Sequence, residues 1–146
     1  MARSAATYSA NIDSLKVETN KKYLPGGGKT YCNIFAQDVM KLMDAELPGG
    51  TANTIAKALY GNNTPGWYSV TYSTAQNRAN KGYPTVGIRQ DTPSGHVVVI
   101  RPKDSAVTQV RDVLVAQAGA SNFNSKTINY SWKSAVLSEV KFYTHD

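Results

Sequence analysis

The chain has 146 residues, a hydrophobic fraction of 41%, a charged fraction of 18% and a net charge of +6. That is enough apolar material for one core in a single domain spanning 1–146, without a metal or disulfide staple. One cysteine excludes an internal disulfide framework and a CxxC metal site, and neither metal nor cofactor is expected.

The opening residues, Met1 to Tyr8, hold no apolar stretch of signal-peptide length, and nowhere do 18 apolar residues run together. The expectation is a protein without a membrane span, made in the cytoplasm without a signal. If it acts outside, another device carries it there. About the first ten residues read as a flexible lead-in. Positive charge favours polyanionic partners. The lysines and arginines are nevertheless scattered, and no RRM signature, zinc-finger spacing or basic helix accompanies them. General electrostatic attraction is expected, with no nucleic-acid readout.

Asn11 to Thr19 reads as a short helix with Ile12 and Leu15 on its inner side, ended by the loop Pro25-Gly26-Gly27-Gly28. The strongest helix follows, about Cys32 to Ala45. Ile34, Phe35, Val39, Leu42 and Met43 recur in it at helical spacing, with Thr30 placed as N-cap. A third helix is predicted from Ala52 to Leu59 with Thr51 as cap. A fourth covers about Thr74 to Lys81, opened by Ser73 and Gln76 in a capping-box pattern and stopped by Gly82.

The period then changes. Thr85 to Gln90, His96 to Arg101, Asp112 to Ala118 and Glu139 to Thr144 read as strands. The run Val97-Val98-Val99-Ile100 suits a central strand covered on both faces. The turn Asp91-Thr92-Pro93-Ser94-Gly95 makes the first two antiparallel neighbours. Helices followed by strands predict an α+β fold, with N-terminal helices packed on an antiparallel sheet.

Cys32 is the residue on which chemistry turns. A lone thiol is usually an inert buried hydrophobe, but this one falls at the first turn of the best helix. Free backbone amides and the positive end of the helix dipole stabilise a thiolate there. His96 opens the most apolar strand directly after Gly95, where a glycine admits close approach, and His145 is the only other histidine. A strand-edge histidine bonded to a carbonyl is the plain alternative. A Cys–His pair needs a third group to hold the imidazole. Gln117, the polar end of an apolar strand, is the candidate, and Asn122 and Asn124 are its rivals.

The helix-opening Thr30-Tyr31-Cys32-Asn33, the strand Gly95-His96-Val97-Val98-Val99 and a polar residue on the next strand together resemble the NlpC-type and CHAP families. The stretch Val115 to Asn124 is similar to segments of small phage-encoded hydrolases of this kind, so the resemblance covers about residues 30 to 124. It implies a papain-like fold and a peptidoglycan amidohydrolase, with Cys32 as nucleophile, His96 as base and Gln117 as orienting residue. CHAP proteins usually carry Glu at the third position, whereas NlpC-type proteins often use His, Asn or Gln. The resemblance further implies a muramoyl–alanine or stem-peptide amide as substrate. His96 accepts the thiol proton during attack or in a preformed ion pair. The Cys32 amide serves as an oxyanion donor, with the Tyr31 hydroxyl as a second. Asn33, Trp67 and Asn122 complete the expected oxyanion and substrate contacts.

A monomeric phage endolysin reaching the cell wall on lysis is the most economical identity. Its rivals are an antibacterial amidase effector, a noncatalytic phage structural or binding module, and a general cysteine protease or acyltransferase. Trp67-Tyr68, Tyr130 and Trp132 read more readily as loop anchors than as sugar-stacking platforms. Asp38, Asp44 and Glu46 read as a solvated helix face. The 26–28 loop lacks the P-loop spacing and is expected to flank the site as a mobile segment.

Overall fold

The computed structural model describes residues 2–146. Its helices are α1 (Ala5–Ser14), α2 (Cys32–Leu42), α3 (Ala52–Tyr60) and α4 (Tyr72–Asn80). The strands are β1 (Trp67–Val70), β2 (Thr85–Arg89), β3 (His96–Ile100), β4 (Leu114–Gln117), β5 (Phe123–Thr127) and β6 (Lys141–His145). They form one antiparallel sheet in the order β1-β6-β2-β3-β4-β5. The chain is an α+β protein, as its pattern predicts.

The valine run behaves as expected. Val97 to Ile100 are all buried, because β3 lies between β2 and β4 and α2 packs across it. A strand enclosed on both faces has no solvent side on which to alternate. On α2, Phe35, Ala36, Val39 and Met40 form the inner face.

The first helix is the main correction. It starts at Ala5 rather than Asn11, because the Ser4 hydroxyl accepts from the Thr7 amide and caps it there. From Ser4 onward the chain is tied into the fold. Tyr8 is fully buried, its hydroxyl donating to the Ile100 carbonyl at 2.7 Å and accepting from the Thr85 amide at 3.1 Å. The helix ends before Lys16, which takes a positive φ of 51°.

The fourth helix is capped by Thr71, which accepts from the Thr74 amide, and not by Ser73. Gln76, the expected capping-box partner, is instead fully buried. It donates to the Arg101 carbonyl at 3.0 Å and accepts from the Leu114 amide at 2.8 Å. One side chain thus joins the end of β3 to the start of β4.

Two strands escape the sequence pattern. β1 is a four-residue edge strand whose partner, β6, closes the chain, pairing Trp67 with His145. β5, Phe-Asn-Ser-Lys-Thr, is polar because it is the opposite edge and leaves much of its surface to solvent. It pairs Phe123 with Gln117 across a register shift in β4.

Candidate active site

Cys32 opens α2 and is 6% exposed. Tyr31, not Thr30, is the N-cap residue, and its side chain makes no capping bond. The first-turn amides therefore turn to the sulfur. The amides of Cys32 and Asn33 approach Sγ from the helix, and the amide of Val97 approaches it from β3. Burial nevertheless dominates and pushes the thiol above its ordinary 9.0. The helix terminus places the sulfur, and burial opposes its ionisation.

The Val97 amide is linked directly to His96, so Cys32 stands against the start of the strand that carries the imidazole. His96 Nε2 lies 2.8 Å from Gln117 Oε1. Gln117 Nε2 in turn donates to the Ser121 carbonyl at 2.8 Å. A carbonyl can only accept, so this bond fixes which way the amide faces and leaves Oε1 for the histidine. Oε1 too can only accept, so His96 carries its proton on Nε2. The lone pair of Nδ1 is left available for a proton. Burial holds the imidazole below its ordinary 6.5, partly offset by the bond to Gln117. Burial thus disfavours both the thiolate of Cys32 and the imidazolium of His96.

Trp132 packs edge-on against His96, with ring centroids 5.0 Å apart and planes at 66°. Gly119 leaves room for the ring on another side. A Cβ there would sit 3.3 Å from His96 Cε1 and 3.5 Å from Gln117 Nε2. Gly95 admits the close approach expected of it. A Cβ there would come within 2.3 Å of Asn53 Oδ1. Asn53 clamps the β2–β3 turn to the start of α3, donating to the Asp91 carbonyl at 2.7 Å and accepting from its amide at 3.1 Å.

Cys32 faces a cleft of about 200 Å³ bounded by Asn33 and Asn53 on the helices and by Ser94 and Gly95 on the turn. A second cleft of about 370 Å³ adjoins it, sharing Thr30, Asn33 and Ser94 and adding Lys29 and Tyr31. The glycine loop borders this groove, tied into a turn by mutual Gly26–Lys29 backbone bonds of 3.1 and 3.0 Å.

The structure thus sets Cys32 against the Val97 amide, next to His96 in the chain, and joins His96 to Gln117, with Tyr31 and Asn33 along the groove. Asn33 also braces it, donating to the Gly50 carbonyl at 2.9 Å. Two expected contacts lie elsewhere in role. Trp67 sits on β1, three strands from β3, its indole donating to the Glu46 carbonyl at 3.0 Å and its ring against His145. It anchors the edge strand. Asn122 is a tether: it accepts from the Gly119 amide and donates to the Val17 and Tyr23 carbonyls. It therefore fixes the loop around Gly119. Asn124 bonds Asp13 at 2.8 Å, whereas the bond to His96 is made by Gln117.

Other surface readings change as well. Asp38 is no simple solvated acid, accepting from Tyr23 at 2.6 Å and pairing with Lys22 at 2.8 Å. Tyr130 is 63% exposed, with the Lys126 ammonium 4.9 Å from its ring centroid. Trp132 and Asn53 were not singled out by the sequence as parts of the site, since neither carries a local signal. Only the packing of β3 shows what they touch.

Among the described residues no helix is long and apolar enough to cross a membrane, and no three His, Cys, Asp or Glu side chains cluster as metal ligands. The chain matches no protein-family profile and no curated protein sequence.

Proposed function

We propose that this protein is a papain-like cysteine amidohydrolase that cleaves amide bonds of bacterial peptidoglycan, in the manner of a phage endolysin. The observation that carries the reading is the chain Ser121–Gln117–His96, which fixes the imidazole tautomer beside a helix-opening cysteine. Such an arrangement suits a nucleophile, a base and an orienting amide.

The reaction starts from the neutral pair. As Cys32 Sγ attacks the amide carbonyl, its proton passes to His96 Nδ1 and an S–C bond forms. The carbonyl electrons move to oxygen. The Cys32 and Asn33 amides, no longer needed by a thiol, are donors for that oxyanion. When the C–N bond breaks, His96 returns the proton to the leaving amine. Water, deprotonated by the same nitrogen, then hydrolyses the thioester to an acid and a free thiol. Peptidoglycan as substrate rests on the family resemblance, on the net charge of +6 and on a groove without carboxylates.

One observation favours a second reading, a noncatalytic wall-binding module of the same fold. Cys32 is nearly buried and its thiol is hard to ionise. Alkylation is expected to be slow at neutral pH under either reading, so turnover must decide between them. Purified sacculi treated with the wild type and with Cys32→Ala, followed by mass spectrometry of soluble fragments, make that test. Cysteine-dependent release supports the hydrolase, and fragment masses separate amidase from endopeptidase. Sacculi of several chemotypes left intact by both proteins would refute it.

A further inference from the structure

We propose that Asn53, at the start of α3, is a positioning residue of this site: through the β2–β3 turn it fixes where the strand of His96 begins, across the cleft from Cys32. The inference rests on the reading of Cys32 and His96 as nucleophile and base. Asn53, Cys32, Ser94 and Gly95 line one cleft of about 200 Å³, yet the Asn53 amide is spent on the turn. Its Nδ2 donates to the Asp91 carbonyl at 2.7 Å and reaches the Pro93 carbonyl at 3.5 Å, while its Oδ1 accepts from the Asp91 amide at 3.1 Å. Donor and acceptor of one short side chain thus grip the same peptide segment. The Asp91 carboxylate is pulled the other way, pairing with Arg89 at 2.9 Å.

The start of α3 is itself pinned to α2. Asn33 and Gln37, one helical turn apart, both donate to the Gly50 carbonyl, at 2.9 and 3.1 Å, and Gln37 also donates to the Pro48 carbonyl at 2.9 Å. Thr51 follows and caps α3. A ring of contacts therefore closes on the sulfur. It runs from α2 to Gly50, from Asn53 to Asp91, along the turn to His96, and from the Val97 amide back to Cys32. Asn53 is the link that crosses the cleft. Gly95 lies against it so tightly that a Cβ would come within 2.3 Å of Asn53 Oδ1. That contact stops the residue before His96 from moving toward α3, and the bonds to Asp91 stop the turn from moving away. A misplacement of about 1 Å costs on the order of 100-fold in rate, and a two-bond clamp prevents it. Tyr60, at the other end of α3, accepts from the Gln90 amide at 3.1 Å, so α3 keeps a second tie to the turn when Asn53 is changed.

The test uses the full chain with Asn53→Ala or Asn53→Asp, beside Gln76→Leu as a variant that loses stability away from the cleft. Asn53→Asp keeps the size and the acceptor but sets a lone pair against the Asp91 carbonyl. On soluble muropeptide, below each unfolding transition, both Asn53 variants should lose about 100-fold in kcat with KM held within about twofold. A second readout needs no turnover. Where His96 takes the thiol proton, the rate of Cys32 alkylation by iodoacetamide steps up as pH rises through the lowered value of His96, below 6.5. That step should vanish in Asn53→Ala and persist in Gln76→Leu. A kcat no lower than that of Gln76→Leu, a loss confined to KM, a wild-type kcat in Asn53→Asp, or a step that survives Asn53→Ala would overturn the inference. Turnover with a surviving step sinks Asn53 alone. A step that Asn53→Ala abolishes in a chain that turns nothing over sinks the hydrolase alone. Alkylation without any step in the wild type refutes both.

Discussion

Gln117 Oε1 stands 2.8 Å from His96 Nε2, and its own amide nitrogen is committed to the Ser121 carbonyl. An uncharged side chain thereby does what a carboxylate does elsewhere: it decides which imidazole nitrogen keeps the proton. It does so without adding charge, so burial is free to hold the imidazole neutral.

Replacing Gln117 separates orientation from charge. Gln117→Leu keeps similar volume but frees the ring to rotate and take the other tautomer. Turnover on soluble muropeptide is expected to fall roughly 100-fold or more, with substrate binding little changed. Gln117→Glu restores an acceptor but places a carboxylate against the ring, which stabilises imidazolium and moves the acid limb of the rate profile upward. An unaltered kcat in the leucine variant would remove Gln117 from the mechanism.

The pH dependence follows from the directions of two shifts. His96 lies below 6.5 and must be unprotonated to accept the thiol proton, so activity is lost as pH falls through its lowered value. Cys32 lies above 9.0, so the starting thiol persists across the neutral range. The kcat/KM of the wild type should therefore rise with an inflection below pH 6.5 and stay level to about pH 9. A bell with its alkaline limb near neutrality would instead indicate a resting ion pair.

Trp132 shields His96 with its ring edge. Trp132→Ala should readmit water, let the imidazole return toward 6.5, and cost about 3 kcal/mol of stability through the cavity left behind. Titration of the His96 ring protons by NMR reads the first effect, and denaturant unfolding the second. Trp132→Phe should preserve most of both.

Gly95 touches Asn53 and the strand before it. A Cβ at Gly95 would lie 2.3 Å from Asn53 Oδ1 and 2.7 Å from the Arg89 carbonyl. Gly95→Ala is expected to destabilise by about 1–3 kcal/mol, and pairing it with Asn53→Ala should recover only part, because the backbone clash persists. Full recovery in the double variant would mean that the Arg89 carbonyl moves freely.

Gln76 supplies the control on stability without chemistry. Gln76→Leu strands the Leu114 amide and the Arg101 carbonyl in the core. The expected loss is about 2–4 kcal/mol, read from the denaturant midpoint, while turnover per folded molecule stays at the wild-type value. A fall in kcat would show that the β3–β4 junction is coupled to the site.

Much of the local structure was legible in the chain itself. The periodicity of Phe35, Val39 and their neighbours located α2, and Thr51 located the start of α3 by its hydroxyl. Four valine-rich or alternating segments appeared as strands within a few residues. These features depend on neighbours at most four positions away, or on burial deep enough to leave every residue apolar. Cys32, His96 and Gln117 could be singled out for the same reason, each being chemically conspicuous at the end of a well-marked element.

What tertiary structure decided was everything carried by partners distant in sequence. β1 is a strand because β6 pairs with it, and Trp67 is an anchor because that pairing sets it against His145. Gln76 looks like a cap residue until its distant carbonyl and amide are known, and the bonds of Asn122 to Val17 and Tyr23 are equally invisible in the chain. Trp132 covers His96 although nothing near it in the chain says so. The ionisation of Cys32 and His96 was also decided there. The residue types and the helix terminus favour a thiolate, but how far water is excluded from Cys32 and His96 is a property of the packed core. That exclusion outweighs three amides at Cys32 and one hydrogen bond at His96, and it disfavours the charged form of both.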